Sequence, residues 1–168
     1  MPIDLERLYD NHAQSLFAFL LNLTRNEADT HDLLQEVFCK IATRPAVLEG
    51  AREERTFLLR MAHNAAIDLM RRRATREKNH ASFAEELVFE AAADVDTGEF
   101  QRVLEEALAK LPAEQRAVVH LKLWEGATFE QIADALGISP NTAASRYRYA
   151  LDKLRDLLRP LYEEVRNA

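Results

Sequence analysis

Residues 128–158 leave this chain little conformational choice. Thr128-Phe129-Glu130-Gln131 places a cap hydroxyl three residues before a Gln, the pattern in which side chains and backbone at a helix start satisfy each other. Ile132, Ala133 and Leu136 then share one face. Gly137 stands where a helix needs a left-handed residue to stop. Ile138 packs the turn, Ser139 caps, and Pro140 opens the next helix at its first position. A capped helix, a short Gly-containing turn and a second helix make the unit that lays its second helix in a DNA major groove.

The second helix of that unit sorts its side chains by face. Ala143, Tyr147, Ala150 or Leu151, Leu154 and Leu158 form an inner stripe. At about 100° per residue, Asn141, Thr142, Ser145, Arg148, Tyr149 and Asp152 lie opposite. Arg148 suits a guanine, Asn141 an adenine, and Ser145 a base or a phosphate. Arg146 lies at the side and suits a phosphate.

Upstream, apolar residues also recur at three and four, and no alternating stretch signals a strand. Helix one is expected over about residues 3–23, with Leu5, Leu8, Leu16, Leu20 and Leu23 near one face. Helix two starts at an Asn26 cap and ends before Pro45. Helix three spans about residues 53–73, its inner stripe being Leu58, Met61 or Ala62, Ala65 and Leu69. A further helix begins near Glu99, and the next opens with Pro112 at its first position. Val118, Val119, Leu121 and Trp124 are its expected core contacts, with Phe129 a core residue nearby. The expectation is an all-α chain of two small helical domains, 1–75 and 99–168, the second carrying the helix-turn-helix. Residues 76–98 lose the periodicity and read as an acidic linker, with a helical patch around Phe83–Phe89. Neither domain exceeds about 75 residues, so each is marginal alone.

Charge is segregated along the chain. The net charge of −6 hides residues 79–99, with six acids and no Lys or Arg. Residues 55–78 carry seven basic groups against Asp68 and Glu77, and residues 138–159 carry five against Asp152 and Asp156. Screening acts over about 8–10 Å, so the local balance decides what each segment attracts. The two positive segments suit phosphates.

Several classes fall away. No run nears the roughly 18 apolar residues needed to span a bilayer, and the start of the chain lacks a signal-peptide pattern, so a cytoplasmic protein without membrane insertion is expected. Cys39 is the single cysteine, and the five His show no metal spacing, so neither metal nor cofactor is expected. A single Glu-x-x-His occurs, Glu77-Lys78-Asn79-His80, where a carboxylate-bridged metal site in a helical bundle takes two, which argues against an enzyme of that kind.

Two N-terminal segments narrow the function. Asp32-Leu33-Leu34-Gln35-Glu36-Val37-Phe38 turns Leu34, Val37 and Phe38 inward and leaves Asp32, Gln35, Glu36 and Cys39 on the other side. Helix three carries Arg60, Asn64, Asp68 and Arg71 outward and ends in Arg71-Arg72-Arg73. At these residues, and at Leu111–Arg116, Glu130–Ala133 and Thr142–Arg146, the chain resembles the extracytoplasmic-function (ECF) sigma factors of bacterial RNA polymerase. The resemblance covers about residues 5–158, with its motifs in the family's order. Phe57 stands where members often have Trp, and Ala144 where they often have a basic residue.

The resemblance implies the following roles. Asp32, Gln35 and Glu36 dock on core RNA polymerase. Arg60, His63, Asn64 and Arg71 bind the opened minus-ten strand, with an extruded base captured in the loop of residues 44–54. Asn141, Thr142, Ser145, Arg146, Arg148 and Tyr149 read the minus-thirty-five duplex. An anti-sigma factor is an implied further partner. The competing expectation is a stand-alone helix-turn-helix regulator, which would bind specific duplex without polymerase.

Overall fold

A computed structural model describes residues 2–77 and 98–167. Among them every regular element is helical: α1 Leu5–Thr24, α2 Glu27–Thr43, a 3-10 turn Pro45–Leu48, α3 Glu54–Glu77, α4 Gly98–Ala109, α5 Ala113–Leu123, α6 Phe129–Leu136 and α7 Pro140–Asn167. The expected all-α class is therefore observed. The expected linker, apart from its helical ends at residues 76–77 and 98, and the helical patch at Phe83–Phe89 lie outside the described residues.

Local signals set most helix ends. Asp4 caps α1 by accepting from the Arg7 N–H, and Arg25, at φ 55°, ends it in the left-handed region. Asn26 immediately caps α2 by accepting from the Asp29 N–H at 2.9 Å. Both halves of the Thr128–Gln131 capping box form, and Gly137, at φ 68°, stops α6. Ser139 caps α7 through the Thr142 N–H at 3.1 Å. Pro112 differs from expectation: with ψ 146° it is the residue before α5, not its first helical residue. α3 runs on to Glu77, past the expected end at Arg73. α7 continues through Pro160, which lacks the N–H that would bond the Asp156 carbonyl.

Packing then joins what sequence separates. Helices α1, α2 and α3 surround Leu8, Phe19, Leu20, Val37, Ile41, Leu58 and Ala62. Val118 and Leu121 of α5, and Ile132, Ala135 and Leu136 of α6, enter that same core. A second, smaller core unites Leu108 and Leu111 with Val119, Ala150 and Leu154. Helix α5 therefore buries two faces, Val118 toward the N-terminal helices and Val119 toward α4 and α7. Each such aliphatic side chain contributes about 1.5–3 kcal/mol when fully buried. Trp124 departs from its expected core position: it is 53% exposed and stacks on His120 at 5.7 Å. The turn after α5 carries it beyond the apolar face. Phe129 is half-buried against Tyr147, with the Lys122 ammonium 4.4 Å above its ring.

One buried charge sits at the junction. Arg116 of α5 is 8% exposed. It donates from Nε to the Asn22 carbonyl at 3.0 Å, from Nη2 to Leu23 at 2.9 Å and from Nη1 to Leu111 at 2.5 Å. The Asn22 side chain returns a bond to the Arg116 carbonyl at 3.2 Å. Burial draws this guanidinium down to about 10, so it remains charged at neutral pH. Replacing Arg116 with Ala orphans several buried carbonyls. We expect a loss of about 3 kcal/mol or more in urea unfolding, while Arg148→Ala, on the exposed face of α7, should stay within about 0.5 kcal/mol.

Candidate polymerase and nucleic-acid surfaces

On α2, Asp32 and Gln35 are exposed and Glu36 is half-buried beside Lys40, whose ammonium lies 2.8 Å away. The inward turn of Leu33, Leu34, Val37 and Phe38 fixes this orientation. Asp32 and Gln35 form an exposed acidic and amide strip, with Glu36 at its half-buried, Lys40-paired edge. Beside it a groove of about 460 Å³ opens between α1 and α2, lined by Tyr9, Leu34, Gln35 and Phe38.

On α3, the four expected strand-binding residues divide. Asn64 and Arg71 are exposed, whereas Arg60 and His63 turn toward the C-terminal helices. Arg60 forks onto the Asp134 carbonyl of α6, from Nε at 3.0 Å and Nη2 at 2.5 Å, with the Asp134 carboxylate at 3.4 Å. His63 is half-buried with its Nδ1 unpartnered among the described residues. Burial pushes its imidazole below the usual range, so it is neutral at neutral pH. Asp68 pairs with Arg72 at 3.2 Å along the helix, the ordinary surface pairing such spacing allows.

The loop ahead of α3 forms a pocket of about 540 Å³. Gly50, Arg52, Thr56, Phe57 and Arg60 line it, and Asp134 of α6 supplies one wall. That volume accommodates a nucleobase-sized ligand.

On α7, Asn141, Arg148 and Tyr149 face solvent, Tyr149 being 68% exposed. Thr142 and Ser145 are half-buried, and the Ser145 hydroxyl accepts from Arg148 at 3.4 Å. Arg146 turns away from this face and pairs with Glu114 of α5 at 3.5 Å. A cleft of about 610 Å³ gathers residues expected in three separate roles: Glu36 of α2, His63 and Arg71 of α3, and Arg146 of α7, with Glu114 beside them.

Sequence reasoning missed the acids of the C-terminal helices. Glu114, Glu125 and Asp134 each engage an arginine, and Asp134 and Glu125 do so across the junction. Glu125 pairs with Arg55 and accepts from the Ser15 hydroxyl at 2.7 Å. Nothing in their own spacing marks them, because the partners of Glu125 and Asp134 lie about 70–110 positions away and that of Glu114 lies on another helix, at Arg146. Among the described residues no group of three or more His, Cys, Asp or Glu is placed to hold a metal ion. No helix among them is long and apolar enough to cross a membrane.

Comparison with known proteins assigns this architecture. Residues 8–76 match Sigma-70 region 2, and residues 101–154 match Sigma-70, region 4. The chain is 35% identical to the ECF RNA polymerase sigma factor SigL of Mycobacterium tuberculosis over 158 residues, covering 92% of this chain and 88% of SigL. This chain belongs to the ECF sigma factors. It is also 30% identical to SigX of Bacillus subtilis, over 94% of this chain and 85% of that one. In fold it is similar to the sigma factor RpoE of Bartonella quintana, solved in complex with the anti-sigma factor NepR, with a TM-score of 0.75, 22% identity, and 93% and 97% of the two chains covered. Sigma factors are non-catalytic factors of transcription initiation, and the DNA-binding character expected from sequence belongs to that class.

His120 gives this sigma factor a pH dependence. It is 7% exposed between Phe19 and Trp124, and its buried Nε2 lies 3.8 Å from Glu125, beyond hydrogen-bonding reach. Burial pushes it down to about 4, against about 6.5 in the unfolded chain. The unfolded state therefore binds the extra proton first. This contribution to stability is complete above about pH 6.5 and declines as pH falls toward 4. Urea midpoints should drop over that window by the equivalent of about 2–3 kcal/mol. His120→Gln should flatten the His120 part of the profile.

Proposed function

We propose that this sigma factor binds bacterial core RNA polymerase through Asp32, Gln35 and Glu36, engages the minus-ten element with α3 and reads the minus-thirty-five element with α7. The observation that carries this reading is the orientation of α7. After a capped helix and a left-handed Gly turn, it presents Asn141, Arg148 and Tyr149 to solvent. Arg148 has the fork geometry for a guanine edge, and Asn141 the paired donor and acceptor for adenine. Residues 1–75 act as the polymerase-binding and melting domain, 76–98 as the acidic linker and 99–168 as the upstream-element domain.

In this reading the loop pocket takes an extruded base of the opened strand. Unstacking a base costs a few kcal/mol, which contacts from Phe57 and Arg52 in the pocket help to offset. Asn64 and Arg71 then hold the strand as it leaves. The protein works in the cytoplasm, where polymerase and promoter are. An anti-sigma factor is a further partner, as one is for the RpoE of Bartonella quintana. Family membership favours this reading over a stand-alone regulator, because the match extends over the N-terminal helices as well as the helix-turn-helix.

The deciding experiment adds purified protein to bacterial core polymerase and a promoter selected from a genomic library. Transcription should start from a defined position, and absence of core binding would sink the reading. The double change Asp32→Ala, Gln35→Ala should weaken core binding with the helical circular dichroism unchanged. Arg148→Ala should leave core binding intact and weaken the upstream element by about 1–3 kcal/mol, with relaxed preference at one base pair.

A further inference from the structure

The end of α5 holds a buried polar cluster that the proposed function does not use. His120 is 7% exposed, its ring between Phe19 of α1 and Trp124. Its Nε2 has no hydrogen-bond partner among the described residues. Glu125 Oε1 lies 3.8 Å away, and that carboxylate is already taken. Oε1 accepts from the Ser15 hydroxyl of α1 at 2.7 Å, and Oε2 pairs with Arg55 of α3. Arg55 also donates to the Glu125 carbonyl at 3.2 Å. One residue thus ties the end of α5 to both α1 and α3.

The groups around the imidazole leave it no spare acceptor. α1 brings Ser15 and Phe19, and α3 brings Arg55, a second cation. Arg116, one turn back on α5, is committed to the Asn22 and Leu23 carbonyls. A proton added at Nε2 therefore forces a choice. With Glu125 in place, the imidazolium stands unpaired in a dry contact. With Glu125 swung onto the imidazolium, Ser15 or Arg55 loses its bond across to α5. Either way the seat of α5 on α1 and α3 weakens.

We infer that His120 and Glu125 form a proton-responsive joint, through which a fall in pH loosens the packing of α5 against α1 and α3 while the second core, against α4 and α7, stays packed. The inference needs only this packing and none of the residue roles proposed above. An imidazole that titrates at about 4 when enclosed and at about 6.5 once exposed favours the loosened joint about tenfold more at about pH 5.5 than at about pH 7.5. His63 of α3 is also half-buried and held below the usual range, so it needs its own control.

The test uses the full chain with Cys39→Ser, so that one introduced thiol reports. Val118 and Val119 are both fully buried, on different faces of α5: Val118 in the core shared with α1 and α3, Val119 in the core shared with α4 and α7. Val118→Cys and Val119→Cys are labelled with a thiol reagent, and each rate is divided by that of a free cysteine peptide at the same pH. When reclosing is fast, labelling follows the population of opened molecules. Val118→Cys should react faster than Val119→Cys at both pH values, because the joint opens while the second core stays closed. Between about pH 7.5 and about pH 5.5 its corrected rate should rise about tenfold or more. His120→Phe, which keeps a ring between Phe19 and Trp124, should remove a factor of about ten from that rise. His120→Gln should do the same, and His63→Gln should leave the factor in place. Equal rates for the two thiols would overturn the inference, since only global unfolding would then expose His120. So would a rise that persists in both His120 variants. A wild-type His120 titration midpoint at about 6.5, read by nuclear magnetic resonance, would overturn it independently.

Discussion

The insertion of α5 beneath α1 governs the rest of this structure. An aliphatic helix buried on two sides must bring its polar groups to terms with a dry interior, and Arg116 is the group that does so. A guanidinium placed there is tolerated because it finds carbonyls that α1 itself leaves unsatisfied. The charge and the helix end solve each other's desolvation. From that point the position of α6 against α3 follows, and with it the placement of the helix-turn-helix.

Electrostatics divides the molecule by role. Asn141 and Arg148 of α7 and Asn64 and Arg71 of α3 stay toward solvent, while acids of α5, α6 and the turn between them meet arginines inside or at the edge of the junction. A chain of net charge −6 can therefore present basic patches locally. Exposed pairs such as Arg60 with the Asp134 carboxylate add little by themselves. The bonds to backbone carbonyls at helix ends, with their fixed geometry and partial charge, matter more.

Much of this was legible in the sequence because it is written over short distances. The Asn26 cap, the Thr128–Gln131 box, the Gly137 stop and the Ser139 cap each depend on residues within a few positions, and all four form. The inner stripes of α1, α2 and α3 follow from period alone, and Leu8, Val37 and Ala62 are buried as the pattern requires. Trp124 shows where that logic ends. Its hydrophobicity suggested a core position, but the helix stops beneath it and leaves the indole outside. Arg60 shows the same limit for a site: its place on the outer side of α3 is correct for the helix alone, and α6 then covers that place. No local pattern announces a partner 74 positions away.

The shared core has a consequence for genetics. Ala117, Val118 and Leu121 are fully buried, yet they share one core with residues of α1, α2, α3 and α6. Their substitution alters the relative placement of the N-terminal and C-terminal helices as well as stability. Suppressors of promoter defects in such a chain need not cluster at bases or phosphates. They can arise in small aliphatic positions under α5, where one methyl group resets the distance between two surfaces it never contacts.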